Sequence, residues 1–426
     1  MLSPSGNVAI IGAGLAGMAA ALDLHELSIK CSVYEMRDTN AAPPNSSGAL
    51  MLSPNALKIM ERFGIYGKLE ELSYPFEYVH YKDADEKTIE RYPLGDESNY
   101  GCKAMRIYRQ QLLDVLYAAC SERKIPIHFN KKFAEVTEES DTHVTFKFTD
   151  GTTETASLLI GADGIHSKLR DYVVPNVEKK FVGIAALTWE TETKQLRIPA
   201  DKNYEFPVTI MTPTGAFILA PQRPDGSAML AGTQIPLQDK DREGWTQFLA
   251  DKDGLVKRIT ANIELWPEIV QSCMENINKD SMNVWPFYRI PRLPNWTSQK
   301  HHRVAILGDA AHGIPPTTGQ GASQAFEDVR VLALLLSALK ENSGLEWSET
   351  LQFWQKLRQD RVDELLVLTN KLNNKRKSTE EQKLLAKEDL WFDESATNPR
   401  QMAWLYNPDL EGTVNAWVKE TIAKKV

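Results

Sequence analysis

Residues 7–24 read NVAIIGAGLAGMAAALDL, and this stretch decides the fold. It opens with an apolar run rich in β-branched side chains, as a buried parallel strand does. Gly12, Gly14 and Gly17 follow, and a helix-forming run begins directly after them. The first glycine permits a tight turn, the second lets the backbone approach a pyrophosphate, and the third lets the helix pack close to the strand. Free N–H groups at the start of that helix are suited to phosphates.

A second strand-like run, residues 31–35, ends on Glu35. This acid follows the glycines at about 20 residues, the distance at which a carboxylate accepts hydrogen bonds from a ribose. Strand, glycines, helix, second strand and acid together predict dinucleotide binding; a glycine-rich turn that serves only packing is the alternative. The motif does not choose between NAD and FAD. Arg37 would meet an adenosine phosphate or ribose, or else be solvated.

Composition narrows the class of protein. The chain has 426 residues and a net charge of -8, which argues against general nucleic-acid binding. Its 4 cysteines show no CxxC or Cys/His spacing, so we expect reduced thiols and no metal site. The first residues have neither a basic region nor a long apolar run before the first strand, and residues 329–339 are too short to span a bilayer. We therefore expect a cytoplasmic protein without an integral membrane segment.

Two later segments carry similar chemistry. Residues 161–170 read GADGIHSKLR and follow a strand-like run. Residues 308–329 read GDAAHGIPPTTGQGASQAFEDV and lie between the apolar run 303–307 and an apolar helix. A plain connection needs only a few turn residues. The surplus of glycine, proline, aspartate and histidine indicates loops that are shaped around a ligand.

The three motifs GAGLAG, DGIHSKLR and GDAAHGIPPTTGQG stand in the order found in a known family. Over roughly residues 7 to 340 the chain resembles the FAD-dependent aromatic hydroxylases of the para-hydroxybenzoate and salicylate hydroxylase type, the class A flavoprotein monooxygenases. Residues 47–56 resemble that family's segment after the second strand, and residues 108–112 its flavin-contacting arginine motif. The motifs are specific for the flavoprotein family and not for a substrate.

The resemblance implies an α/β fold with a Rossmann-like FAD-binding domain, an inserted antiparallel-sheet substrate domain and a C-terminal helical region. Short strand-like runs punctuated by turn residues between 209 and 231 agree with the inserted sheet. The expected division is 1–175 and 285–340 for the FAD-binding domain, with part of 70–105 on the substrate side, 176–284 for the substrate domain, and 341–426 for the helical region.

The resemblance also implies how FAD is held. Asp309 would bond the ribityl or pyrophosphate region, Pro315 and Pro316 would form a wall beside the isoalloxazine ring, and residues 319–321 would offer N–H groups to its pyrimidine edge. Arg109 would reach the ribityl or phosphate region, and Arg106 is an alternative for this contact. The full cofactor set is Gly12, Gly14, Leu15, Ala16, Gly17, Glu35, Met36, Arg37, Gly48, Ala49, Arg109, Asp163, Gly164, Asp309, Pro316, Gly319, Gly321 and Ala322, with Arg170 bracing the loop at Asp163.

The chemistry implied is a monooxygenation. NADPH or NADH, bound transiently and in contact with the segment at Asp163, would reduce the flavin; O2 would add at its C4a position, and one oxygen atom would pass to a small organic substrate. The apolar strands suggest Met211, Phe217 and Leu219 as substrate contacts, and Pro315, in the wall beside the flavin ring, is a further predicted contact. The sequence does not identify a catalytic base; the candidates are His80, Tyr81, Tyr288 and His312. Pro315 is a further candidate for a catalytic position, but not for the base.

Other functions on this scaffold stay open. Epoxidation, Baeyer–Villiger-type insertion and desaturation use the same motifs, and a flavin-bound redox sensor without catalysis is a less favoured alternative. A flavin halogenase is disfavoured because residues 284–291, VWPFYRIP, lack the WxWxIP pattern. The protein would be a monomer or a homodimer.

Overall fold

A computed structural model describes residues 6–39, 48–377, 379–394 and 397–425. Ser47, the first residue of the segment 47–56, lies outside them. The strands are β1 (Val8–Ile11), β2 (Cys31–Tyr34), β3 (Ala49–Leu52), β4 (Tyr74–Phe76), β5 (Tyr78–Lys82), β6 (Thr88–Pro93), β7 (Ala104–Tyr108), β8 (Ile127–His128), β9 (Phe133–Glu139), β10 (Val144–Phe148), β11 (Thr153–Ala156), β12 (Leu158–Gly161), β13 (Lys180–Glu192), β14 (Val208–Thr212), β15 (Gly215–Pro221), β16 (Ala228–Pro236), β17 (Asn283–Arg289) and β18 (Val304–Ile306).

The helices lie between these strands and at the end of the chain. They are α1 (Leu15–Glu26), α2 (Pro54–Arg62), α3 (Tyr66–Leu72), α4 (Glu97–Tyr100), α5 (Arg109–Glu122), α6 (Lys168–Val173), α7 (Arg242–Ala250), α8 (Lys252–Ile259), α9 (Glu268–Glu275), α10 (Asp309–His312), α11 (Gly321–Glu341), α12 (Trp347–Lys375), α13 (Thr379–Lys383), α14 (Ala403–Tyr406) and α15 (Leu410–Ala423).

A five-stranded parallel sheet has the order β18-β12-β1-β2-β8. Its central strands are apolar throughout and buried, as parallel strands covered on both faces are. In the register, Ile10 lies opposite both Ile160 and Val33. Because parallel strands end at the same edge, the segments that follow β1, β2, β12 and β18 meet there, and these are the segments that carry the motifs.

A seven-stranded sheet has the order β17-β13-β16-β15-β14-β5-β6 and is antiparallel except where β14 runs parallel to β5. Strands from the first hundred residues thus join the strands of residues 180–289. One face packs against the helices α8 and α9, in a core that includes Trp189, Ile210 and Phe217. On the other face Thr188, Glu190, Ile218 and Leu230 are half-buried, and Glu190 accepts a hydrogen bond from Tyr108 of β7.

A three-stranded sheet, β3-β7-β4, lies between the two large sheets. Its central strand alternates: Met105 and Ile107 enter the core of the parallel sheet, whereas Ala104 belongs to a separate apolar cluster on the side of the seven-stranded sheet. Residues 104, 106 and 108 therefore point toward the larger sheet. This sheet links the cofactor motifs to the seven-stranded sheet.

The C-terminal helices return to the first part of the chain. The ring of Phe353 in α12 stacks on Trp417 in α15 with centroids 4.3 Å apart. The hydroxyl of Tyr406 donates to the carbonyl of Pro93 at 2.9 Å, which ties α14 to β6. None of the described helices is both long and apolar enough to cross a bilayer. The fold class is as predicted: a parallel sheet, separate antiparallel sheets and helices at the C-terminus.

Candidate active site

The glycines after β1 have different tasks. A Cβ on Gly17 would lie 1.9 Å from the carbonyl oxygen of Gly12, and one on Gly12 would lie 2.5 Å from that of Ala162. These two glycines are thus required by the backbone packing itself. Gly14 is different, because a Cβ built there meets no atom within 4 Å. Gly14 faces open space at the start of α1, where an approaching phosphate has room.

Glu35 closes this part of the site at the end of β2. Its Oε2 accepts from the Ala13 N–H at 2.8 Å, and its Oε1 accepts from the backbone N–H and the Nε of Arg37 at 3.0 and 2.9 Å. Burial acts to raise the pKa of Glu35, but these hydrogen bonds outweigh it and the pKa is lowered. The carboxylate stays charged next to the phosphate loop, with lone pairs left for a ribose. Met36 is exposed beside it.

Asp163 begins the segment after β12. Its Oδ2 accepts from the backbone N–H groups of Lys168 and Leu169 at 2.9 and 3.3 Å. Its Oδ1 is buried and has no hydrogen-bond partner among the described residues. Burial raises the pKa of this carboxyl group. Arg170 donates to the carbonyl of Ile165 at 2.8 Å and to that of Ala310 at 3.2 Å, so it braces this segment against the next motif.

The third motif follows β18. Gly308 has a φ of 59°, and Asp309 starts the short helix α10 with its side chain exposed. Arg109 shares this open part of the site, and its side chain is exposed to solvent. Desolvation by the surrounding protein lowers the pKa of Arg109, whereas the negative charge of Asp309 acts to raise it. Gly319 has a φ of 66° and lies against Met51, with 3.6 Å from a built Cβ to the Met51 Cβ. The 21-residue helix α11 begins directly after it.

A buried charged network supports this loop from below. Asp328 accepts from the Gly308 N–H at 3.0 Å, from His312 Nε2 at 2.5 Å and from Arg358 Nε at 2.9 Å. Glu327 accepts from Arg358 at 2.5 Å and from Arg361 at 2.7 Å. Burial acts to raise the pKa of both carboxyl groups, but the positive charges of their partners lower it. The loop that carries Asp309 and Gly319 is thereby anchored to α12.

These residues fit FAD. Three glycines at the carboxyl edge of the parallel sheet, Gly14, Gly164 and Gly321, have no atom within 4 Å of a built Cβ, so the backbone lies open to a ligand at each motif. The buried Oδ1 of Asp163 is an acceptor for which the described part of the chain supplies no donor. Pyrophosphate at a helix N-terminus, ribose at an acid and a flavin at the start of a second helix match this arrangement.

The strand alternation of the seven-stranded sheet decides which side chains face the cleft. The predicted contacts Phe217 and Leu219 are fully buried on the helix-covered face, where Phe217 packs against Trp189 and Trp266 at 5.7 and 5.8 Å. They do not reach the cleft, which corrects that part of the prediction. The half-buried positions on the cleft face are Ala186, Thr188, Glu190, Met211, Ala216, Ile218, Leu230 and Gln234, and Trp285 on the same face is exposed.

Met211, by contrast, packs against the same apolar cluster as Met51 and Ile314, here called the cleft cluster, and Ile314 directly precedes Pro315 in the chain. Trp285 lies over Gly48, with ring carbons 3.2 Å from a built Cβ. The sequence motifs do not point to Trp285 as a contact. Its signal in the sequence is a tryptophan next to a proline in residues 284–286. The hydroxyl of Tyr108 donates to Glu190 at 2.7 Å across the cleft.

The candidate bases lie apart from one another. His80 shares its face with Val208 of the helix-covered core and has its Nε2 3.1 Å from Glu205; burial lowers its pKa. Tyr288 donates to Asp239 at 2.6 Å at the far end of β17. His312 is held between Asp328 and the ring of Trp296.

Tyr81 belongs to the cleft-side cluster but is itself buried. The structure does not gather the candidate bases around one point.

Comparison with known proteins agrees with this geometry. A family model described as FAD binding domain matches residues 6–365. The chain is 28% identical over 353 residues to 6-hydroxynicotinate 3-monooxygenase of Bordetella bronchiseptica, covering 80% of this chain and 84% of that protein. It is also 28% identical over 371 residues to 3-amino-4-hydroxybenzoate 2-monooxygenase PtmB3 of Streptomyces platensis, covering 84% and 85%.

Solved structures show the same fold. A salicylate hydroxylase substrate complex has a TM-score of 0.75 at 23% identity, covering 96% of this chain and 97% of that chain. Klebsiella pneumoniae HpxO, complexed with FAD and uric acid, has a TM-score of 0.73 at 22% identity, covering 99% and 97%. The chain therefore belongs to the FAD-binding-domain family, and it is a member of the class A FAD-dependent monooxygenases that its motifs predicted.

Proposed function

We propose that the protein uses NADH or NADPH and O2 to hydroxylate an electron-rich aromatic compound in the cleft between the flavin loop and the seven-stranded sheet. The main support is that Met51 lies against Gly319 and packs in one apolar cluster with Met211 and Ile314. A flavin ring on the loop and a substrate on the sheet would share this space. The relatives act, by their names, on rings that carry hydroxyl or amino groups.

We assign FAD to the residues that the motifs predicted. Gly14 and the start of α1 would hold the pyrophosphate, Glu35 would hold a ribose, and residues 316–322 would hold the flavin, with the N-terminus of α11 toward its pyrimidine part. The partial positive charge there, about half an elementary charge, stabilises an anionic ring. When bound, FAD supplies electron transfer and the activation of O2. We also propose the predicted domain division, with β5 and β6 on the substrate side.

The chain's own part in the reaction is positioning and exclusion of water. Met51, Met211 and Ile314 present apolar surface, which keeps water from the reacting atoms and favours a planar ring. The charged network under the loop fixes Gly308 and the start of α11. A rigid loop would hold a bound flavin at a constant distance from the substrate. A substrate hydroxyl would find its polar partners among the cleft-facing Thr188, Glu190 and Gln234.

We place the nicotinamide dinucleotide at a basic surface near residues 161–170. Burial lowers the pKa of His166, and the positive charges of Lys179, Arg170 and Arg242 lower it further. Lys179 lies 3.7 Å from the ring centre of Tyr288. Arg170 is buried, but Lys179 and Arg242 lie outside the core, and surface cations around one segment attract phosphates. Lys179→Gln should raise the KM for the dinucleotide and leave substrate binding unchanged.

The test is oxidation of NADH and of NADPH by the FAD-loaded protein with 6-hydroxynicotinate, 3-amino-4-hydroxybenzoate or salicylate added, under 18O2. A hydroxylase gives substrate-stimulated oxidation and a product that contains one 18O atom. Product structure separates hydroxylation from epoxidation, Baeyer–Villiger-type insertion and desaturation. Bound FAD with no stimulated oxidation by any ring compound would favour the redox sensor and reject the proposal.

A further inference from the structure

Among the described residues, the buried Arg106 has a single hydrogen-bond acceptor, and this acceptor is neutral. Arg106 is 4% exposed, and its Nε and Nη2 both donate to the side-chain oxygen of Gln222, at 3.1 and 2.7 Å. No carboxylate of the described residues forms a salt bridge with it. Burial lowers its pKa to about 10, so the guanidinium is still charged at neutral pH. Buried charges in proteins are normally paired, because desolvating an isolated ion is costly.

The side chain points into the cleft. On β7, Met105 and Ile107 face the parallel-sheet core, so Arg106 faces the other way. Its direct cross-strand neighbours are Met51 on β3 and Tyr74 on β4. Such neighbours share a face and lie about 5 Å apart. Arg106 is therefore one strand away from the methionine that contacts the flavin loop.

The neighbours of Arg106 connect it to both walls of the cleft. Met51 lies 3.6 Å from a Cβ built on Gly319, and Tyr74 lies 3.5 Å from one built on Gly226 of the seven-stranded sheet's β15–β16 turn. Gln222 follows β15 directly and orients the guanidinium. The charge of Arg106 is thus held between the loop at Gly319 and the seven-stranded sheet. A ligand that contacts both would lie beside it.

We infer that Arg106, oriented by Gln222, is the anion-binding residue of the cleft and takes the carboxylate of a planar organic acid. The inference rests on the proposed function, because the compound to be hydroxylated brings the carboxylate. Gln222 uses Nε and one hydrogen of Nη2, which leaves the end of the guanidinium formed by Nη1 and Nη2. Two parallel N–H groups at that end match the two oxygens of a carboxylate. A bidentate pair fixes the ring's orientation as well as its affinity.

The experiment compares acids with their uncharged amides on the FAD-loaded protein without reductant. The probes are salicylate with salicylamide and 6-hydroxynicotinate with 6-hydroxynicotinamide, titrated against the flavin absorbance spectrum. At least one acid should bind about 10- to 100-fold more tightly than its amide, as a charge-assisted bidentate pair gives. Arg106→Gln should remove this preference and leave amide binding unchanged, and Arg106→Lys should restore part of it.

Gln222→Glu provides a second variant that does not depend on losing a buried side chain. It gives Arg106 a built-in carboxylate, so the protein should fold at least as stably while acid binding falls to the level of the amide. Arg223→Gln is the matched control: Arg223 is next in the chain but is already paired with Glu190 and Glu192. It should leave the acid-to-amide ratio unchanged.

The outcomes separate the two proposals because binding is read without turnover. If no acid binds more tightly than its amide, or if Gln222→Glu keeps the preference, the inference is overturned even when hydroxylation of an uncharged ring is found. If Arg106→Gln shifts the flavin's reduction potential or affinity and not the preference, Arg106 serves the cofactor and the inference is overturned. An Arg106-dependent preference without any 18O incorporation would reject the proposed function alone.

Discussion

Gly14→Val separates the cofactor from the fold. A Cβ at Gly14 meets no protein atom within 4 Å, and the residue has a φ of -80° and a ψ of -171°, a conformation that valine adopts without strain. The free polypeptide should therefore fold as before, or gain about 0.4–1 kcal/mol because its unfolded chain is stiffer. FAD binding should fall, because the added methyl groups occupy the space of the pyrophosphate.

The size of the loss follows from the hydrogen bonds. If two N–H bonds to phosphate are lost, each worth about 1.5–3 kcal/mol, FAD affinity falls by about 3–6 kcal/mol. That corresponds to about 10²- to 10⁴-fold in Kd. The assay is quenching of flavin fluorescence on titration of the apoprotein, with thermal unfolding in parallel. Gly67→Val is the control, because Gly67 is exposed on α3 and also has nothing within 4 Å. Normal FAD affinity in Gly14→Val would refute the assignment of this loop.

Three further substitutions test other parts of the structure. Gly17→Ala should destabilise the fold itself by more than about 3 kcal/mol, since its Cβ would meet the Gly12 carbonyl at 1.9 Å; a Tm close to that of the parent protein would contradict the close packing. Phe217→Ala should cost about 3–5 kcal/mol of unfolding free energy by chemical denaturation and leave the Kd of a ring compound unchanged in the folded protein, whereas a change in Kd alone would put Phe217 back in the cleft. Asp328→Asn should cost about 3–5 kcal/mol at pH 7. Because the pKa of Asp328 is lowered in the folded state, its contribution is complete above the unfolded value, near 4, and is lost as the pH falls through the folded value. The stability difference from the parent should therefore shrink below about pH 4, and a constant difference would show that the charge is not what matters.

The motifs at the edge of the parallel sheet were predictable because their signals are local. Each consists of a short apolar strand followed at once by glycine or acid, and parallel strands end at one edge whatever the rest of the chain does. The sequence alone therefore predicts that Glu35, Asp163 and Asp309 lie at one edge of the parallel sheet. The motif also predicted a separate task for Gly14. The structure adds the distances: a Cβ at Gly12 or Gly17 would meet backbone atoms, whereas one at Gly14 meets nothing within 4 Å.

The substrate side was harder to predict for a definite reason. Residues 215–221 are apolar on both faces, and residues 208–212 carry apolar side chains on each face, with Ile210 on one and Met211 on the other. The alternation of side chains then does not show which residues face the cleft, so the sequence does not distinguish the buried Phe217 from the cleft-facing Met211. His80 failed in the same way: its neighbour Tyr81 is on the cleft side, and a shift of one residue exchanges the faces. The faces are assigned by the register between β5 and β14, a pairing of residues that are far apart in the chain.

Two buried arginines show why the same physics supports different roles. Arg358 is fully buried and has the carboxylates of Glu327 and Asp328 at 2.5 and 2.9 Å, so its charge is balanced within the protein. Arg106 is nearly as buried, but its acceptor among the described residues is an amide oxygen. Pairing Arg358 rigidifies the loop, and such a site gains nothing from an added anion. The charge on Arg106 is balanced only when an anion enters, so the free energy of that pairing is available for binding a ligand and for choosing between an acid and its amide.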